Sequence, residues 1–216
     1  MRSHSASANL SDRLVASVGH TGSARTTPGL YRALLRLLSH GEPVSIPELA
    51  AAAGQASDVI RHAVAGWNDT EYDQQGRIIG WALTLRPTPH QFNVDGKRLY
   101  TWCALDTLFF PAVIGRPAHV ESPCAATGVP IRLIVDPATG VSALEPSTAV
   151  VSLVTPEQMN SVRTAFCNPG RFFATPAAAR DWQRLHPGME VLSVVDAYQA
   201  SRPLSEMLLD ESAPSP

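Results

Sequence analysis

From Thr27 to Trp67 the apolar residues recur at three- and four-residue spacing, as in amphipathic helices. From Glu71 onward they mostly alternate, as in strands. In TPGLYRALLRLLSHG, Leu30, Leu34, Leu37 and Leu38 share a face, Thr27 is the predicted N-cap, Pro28 takes the first helical position and Gly41 lies beyond the end. SIPELAAAAG opens on the Ser45–Glu48 capping-box spacing and stops at Gly54. SDVIRHAVAGW predicts a third helix with Ile60, Ala63, Val64 and Trp67 facing inward. EYDQQGRIIGWALTL then reads as strand, turn from Asp73 to Gly76, and strand. Three helices and a hairpin predict a winged-helix-like domain over residues 28–88.

Beyond Pro89 the pattern is mixed. HQFNVDGKRLY places an Asp-Gly turn between alternating runs, and WCALDTLFFPAVIG predicts a short buried helix ending near Pro111. From Pro117 to Val154 the chain reads as strands punctuated by ATG and DPATG turns. A Thr155–Gln158 capping box predicts a helix leading into Cys167. A helix with Pro176 at its first position, a short strand in VLSVV and a closing helix follow. The fold class is therefore α+β: the helical domain with its hairpin, then a mixed α+β domain over residues 89–210. Residues 1–27 are expected to be a disordered lead, with one amphipathic turn around Leu10, Leu14 and Val18, and the tail DESAPSP is expected to fray.

Charge weakens the nucleic-acid reading that a winged helix invites. The net charge is −2, and the third helix offers only Arg61 and His62 beside Asp58 and Asp69. Phosphate contacts need more, so no nucleic-acid partner is expected. No apolar run approaches the roughly 20 residues that span a bilayer, and the N-terminal stretch lacks the continuous apolar run of a secretory signal. The cysteines number three, an odd count without regular spacing. That argues against a disulfide framework and for a reducing compartment, the cytoplasm. A proline content of 18 favours a loop-rich fold.

Candidate chemistry concentrates in LYTWCALDTLFF. Cys103 and Asp106 stand three apart, a spacing that puts both side chains on one face of a helix. Cys167 follows at a helix-to-loop junction, and Cys124 sits between strand-like runs. Two thiolates and a carboxylate converging would suit a soft metal ion. A carboxyl shielded from water beside them would have a raised pKa and could hold a proton for delivery; a rise of about 3 units corresponds to roughly 4 kcal/mol. The spacing alone equally suits buried packing thiols and a helix-surface acid.

Three blocks carry a resemblance: EYDQQGRIIGWALTLRPTPHQF, RLYTWCALDTLFFPAVIGRPAHVESPCAATG and VRTAFCNPGRFF. Together they resemble alkylmercury lyase, the organomercurial lyase of bacterial mercury resistance, in consistent order from about residue 30 to residue 205. The resemblance implies a winged-helix-like N-terminal domain and an α+β catalytic domain. It implies catalytic roles for Cys103, Asp106 and Cys167, which would also hold the product Hg(2+) transiently, and a structural role for Cys124. Trp102 and Phe166, flanking the reactive cysteines, become candidates for the organic-group pocket. Some relatives carry a cysteine directly after the second catalytic one, where this chain has Asn168.

The implied reaction is protonolysis of an organomercury cation to a hydrocarbon and Hg(2+). No cofactor is required; small cytosolic thiols assist release and a mercuric reductase is a candidate recipient of the ion. Two alternatives compete: a thiolate metal sensor using Cys103, Cys124 and Cys167 as a three-sulfur site, and a mercury-sequestering protein that binds without cleaving.

Overall fold

The computed structural model describes residues 2–19, 29–155 and 161–210. The first helix, α1 (Arg2–Gly19), corrects the expectation of a disordered lead over those residues. Leu10 and Leu14 are buried and Ser11 Oγ donates to the carbonyl of Ala200 at 3.0 Å, so the apolar stripe seen as a single turn is a docked helix face. Most of a helix's stability in a protein comes from packing its apolar face on a partner surface, which here is the C-terminal helix described below.

Three helices follow: α2 (Leu30–Leu38), α3 (Ile46–Ala53) and α4 (Ser57–Ala65). Helix α2 begins after Gly29, whose φ of 84° suits a glycine; Thr27 and Pro28 lie outside the described residues. Helix α3 has the reciprocal Ser45–Glu48 cap and ends on left-handed Gly54. Ile60, Val64 and Trp67 are buried, as their spacing predicts.

One antiparallel sheet has the order β1-β2-β3-β5-β4-β6-β7-β8. Its strands are β1 (Glu71–Tyr72), β2 (Ile78–Trp81), β3 (Leu83–Thr84), β4 (His90–Val94), β5 (Lys97–Thr101), β6 (Ala118–Pro123), β7 (Pro130–Asp136) and β8 (Gly140–Glu145). Strands β1 to β3 are the wing of the helical domain. Because β3 pairs with β5, Leu83 opposite Thr101, the sheet runs unbroken past residue 88. A second antiparallel sheet, β10-β9-β11, comprises β9 (Val150–Leu153), β10 (Phe172–Phe173) and β11 (Glu190–Ser193).

Helix α5 (Ala104–Ile114) is the hub between these layers. Every residue but Ala112 is buried, and it meets α2, strands of both sheets and the C-terminal helix α7 (Val194–Leu209). A helix apolar on all sides belongs in an interior. It corrects the expected end at Pro111 by continuing through that proline to Gly115 at φ 80°. Proline removes one backbone bond and strains the turn before it, a cost of about 3 kcal/mol, and burial on every face outweighs it. Helix α6 (Pro176–Leu185) starts as predicted, with Thr175 accepting the Ala178 N–H.

Candidate active site

Cys103 is the N-cap of α5, with extended backbone (φ −140°, ψ 169°), and Asp106 is its third residue. The two therefore meet as a reciprocal capping box rather than as neighbours on a helical face, which corrects the geometry expected from their spacing. The Cys103 N–H donates to Asp106 Oδ2 at 3.1 Å, and the Cys103 side chain receives the Asp106 N–H. Thr101 Oγ1 donates to the Cys103 carbonyl at 2.8 Å, and the Trp102 N–H donates to the Ala82 carbonyl at 2.9 Å. These bonds tie the end of β5 to the wing and aim both side chains at one point.

Cys167 ends a π-helical turn, Arg163–Cys167. The helix expected from Thr155 is this short turn over the described residues; Gln158 lies outside them. Single π-turns recur at functional sites. Ser152, on β9, pins the chain beyond the turn: its hydroxyl donates to the Pro169 carbonyl at 2.7 Å and receives the Arg171 N–H at 3.0 Å. Gly170 then joins both cysteine segments. Its carbonyl receives the Ala104 N–H at 3.1 Å, its N–H donates to the Cys167 carbonyl at 2.9 Å, and a Cβ there would sit 3.1 Å from Cys103 Cβ.

The outcome is a cluster of Cys103, Asp106 and Cys167, whose ligand atoms all lie within 4.8 Å of one another. All three are buried, at 1%, 2% and 1% exposure. Cys167 Sγ lies 4.0 Å from Asp106 Oδ2. Burial pushes the Asp106 pKa from 3.8 up to about 7, against the lowering effect of its bonds to Cys103. The Cys103 thiol is raised by burial, partly offset by a hydrogen bond from Cys167. The Cys167 thiol is raised further, first by that same bond and then by burial. A second negative charge in this dry cluster is therefore costly, and sulfur ligands released from their protons would meet a soft cation best.

Cys124 lies outside the cluster and is buried. Burial raises its thiol, but the Thr127 hydroxyl and the backbone N–H groups of Ala174, Ala126 and Thr127 donate to it and lower it overall. The three-sulfur site that a sensor would use is thus not assembled among the described residues. On α4, Arg61 and His62 are exposed beside exposed Asp58 and Val59, a weak phosphate-binding face.

Trp102 and Phe166 are buried at 4% and 5% exposure. Trp102 packs on Trp81 with ring centroids 5.8 Å apart, and Trp81 packs on Tyr31 at 4.8 Å. Tyr31 escaped sequence reasoning because nothing in its helical register distinguishes it from a core residue. Burial raises its phenol well above the ordinary value, with further contributions from Asp106, Cys167 and Cys103. Arg163 also escaped notice; its guanidinium carbon lies 4.9 Å from the Trp102 ring centroid. So did Gly170, although a glycine shortly after a reactive cysteine is a signal of close backbone approach.

Similarity to known proteins gives the family. Residues 83–206 match the family model described as alkylmercury lyase, and residues 7–82 match that for the helix-turn-helix domain of alkylmercury lyase. The chain is 54% identical to the alkylmercury lyase of Streptomyces lividans over 95% of both chains. It is 53% identical to that of Bacillus cereus, over 86% of this chain and 84% of the relative. A solved structure, the mercury-bound form of MerB2, shares the fold with a TM-score of 0.73 at 21% identity, covering 92% of this chain and 98% of that one. The chain belongs to the alkylmercury lyase family, and its activity is cleavage of the carbon–mercury bond of organomercurials.

Proposed function

We propose that Cys103 and Cys167 take mercury from its incoming thiol adduct and that Asp106 carries the proton delivered to carbon. The observation that supports this most is the burial of two thiols and one carboxyl with their ligand atoms within 4.8 Å of one another. Cys103 reacts first, because the helix N-terminus and the Cys167 S–H offset part of the burial that raises its thiol, whereas the Cys167 thiol is raised further. Its sulfur displaces the carrier thiol from R–Hg, and its proton leaves with that thiol.

Cys167 then binds the same mercury and gives its proton to Asp106, which lies 4.0 Å away. Two sulfurs donating to mercury make the attached carbon carbanion-like, and Asp106 protonates it as general acid. The sum is R–Hg–SR′ plus two cysteine thiols giving R–H, R′–SH and Hg(2+) held by two thiolates. Exclusion of water from the cluster keeps the proton for carbon.

Trp102 and Phe166 are assigned to the walls around the organic group, on the strength of their burial beside the two cysteines. No resident cofactor enters this scheme. Small thiols assist release of Hg(2+), and a mercuric reductase is the natural recipient of the ion. Exposed Asn168, in place of the additional cysteine of some relatives, leaves that transfer to external thiols. The reading places the enzyme in the cytoplasm, where thiols stay reduced; no described helix is long and apolar enough to cross a membrane.

The test is cleavage of phenylmercury in D2O with excess thiol. Singly deuterated benzene with one equivalent of Hg(2+) is expected. Unlabelled benzene or radical-coupled biphenyl would overturn protonolysis.

A further inference from the structure

The helical domain reaches the catalytic cluster through two carboxylates on the loop and wing after α4. Asp69 Oδ1 accepts the Ser161 hydroxyl at 2.9 Å, and its Oδ2 accepts the Arg163 backbone N–H at 3.2 Å. Arg163 opens the π-turn that ends at Cys167, and the turn's own N-cap residue, Val162, provides no side-chain cap. A carboxylate from another part of the chain therefore satisfies a donor that the turn leaves unpaired.

Glu71 makes the second tie. It is 8% exposed, accepts the Thr84 hydroxyl and forms an ion pair with the Arg163 guanidinium. Gly80 closes around it: a Cβ there would come 2.5 Å from Glu71 Oε2. The same guanidinium covers Trp102, the residue before Cys103.

We infer that Asp69 and Glu71 are positioning residues of the reaction: they hold the Cys167 turn against the Cys103 end of α5 and so set the gap between the two sulfurs. The inference rests on the reading of Cys103 and Cys167 as mercury ligands. A lone turn of helix has little stability of its own, so the sulfur it carries is only as well placed as its anchors. The helical domain thereby has a catalytic purpose that requires no DNA.

The experiment uses the full chain carrying Asp69→Ala, Asp69→Asn or Glu71→Gln. Hg(2+) is titrated against a competing dithiol, the sulfurs bound are counted by X-ray absorption, and kcat, KM and thermal midpoints are measured in parallel. Asp69→Ala and Glu71→Gln should each lose about 10- to 100-fold in Hg(2+) affinity, as supporting residues of metal sites do. Their mercury should shift toward one protein sulfur, and kcat should fall more than KM rises, because Cys103 still accepts the substrate. Asp69→Asn, which keeps one acceptor oxygen, should recover part of the loss.

Two-sulfur binding at wild-type affinity in both Glu71→Gln and Asp69→Asn would overturn the proposal, even if Asp69→Ala fails to fold. A kcat loss that tracks the thermal midpoint alone, with mercury ligation unchanged, would overturn it too. A wild type that binds Hg(2+) through two sulfurs yet releases no hydrocarbon would count against the proposed reaction, while the ligation measurements would still decide the positioning roles.

Discussion

Cys103 and Asp106 cap each other across the start of α5: the Cys103 N–H reaches Asp106 Oδ2 at 3.1 Å, and the Asp106 N–H reaches the Cys103 side chain. A motif that elsewhere only starts a helix here fixes a nucleophile and an acid to one another. Their separation is set by backbone geometry, so neither needs a flexible side chain to find the other. The cost is a carboxyl held dry, and that cost is measurable.

Asp106→Asn keeps an acceptor for the Cys103 N–H but has no proton to give. Carbon–mercury cleavage should fall by about 10²–10⁴-fold, the range for losing a general acid, with mercury binding retained. Stability should move the other way. The folded pKa of about 7 lies above the ordinary 3.8, so the folded state holds the proton more tightly and wild-type stability declines as pH rises from about 4 through 7. Relative to wild type, the variant should gain stability over that window, by at most about 4 kcal/mol. Urea unfolding at several pH values, beside an activity assay, reads both effects.

The same group shapes the pH profile. In the proposed order Asp106 must first accept the Cys167 proton, so the free enzyme needs the carboxylate. The acid limb of kcat/KM should rise with pH and level off above about 7, and it should disappear in Asp106→Asn. A limb near the ordinary carboxylate value would mean that Asp106 is hydrated during turnover.

Gly170→Ala tests the strut between the two cysteines. The added methyl would lie 3.1 Å from Cys103 Cβ and 3.5 Å from its Sγ, so the loop or the cysteine must yield by a few tenths of an ångström. A misplacement of 1 Å costs as much as about 10²-fold in rate; this smaller shift should cost roughly tenfold in kcat, with Hg(2+) still bound. Steady-state kinetics on a methylmercury–thiol adduct would show it.

Much of this architecture was legible in the sequence because local rules agreed with the fold. The Ser45–Glu48 cap, the Asp73–Gly76 turn and the Asp95–Gly96 turn each specify their geometry within a few residues. Helix α1 was missed because its stripe of Leu10 and Leu14 has meaning only against α7. The Pro111 stop failed because packing around α5 outweighs a local penalty. The three residues of the cluster were named from motifs, but their meeting was not legible. It depends on bonds between distant segments, such as Ala104 to Gly170 and Ser152 to Pro169. Asp69, Glu71 and Arg163 had no local signal at all, since their roles exist only across the interface between wing and turn.

Cys124 separates reactive from structural thiols. The groups that lower its thiol come from Thr127, Ala174 and Ala126. Cys124→Ser should keep those partners and leave both stability and kcat close to wild type. Cys124→Val should strand them and destabilise by about 1–3 kcal/mol, again with little change in kcat at temperatures where it is folded. Thermal melts of the pair, with rates, separate the two effects.

One buried carboxyl and two cysteines distant in sequence act together on the carbon–mercury bond in the proposed reaction. Methane release from methylmercury with excess thiol, measured for the wild type and for Cys167→Ser, tests it most directly. Methane is expected from the wild type, and from Cys167→Ser mercury capture by Cys103 with methane at the buffer background. Methane from Cys167→Ser at the wild-type rate would contradict it.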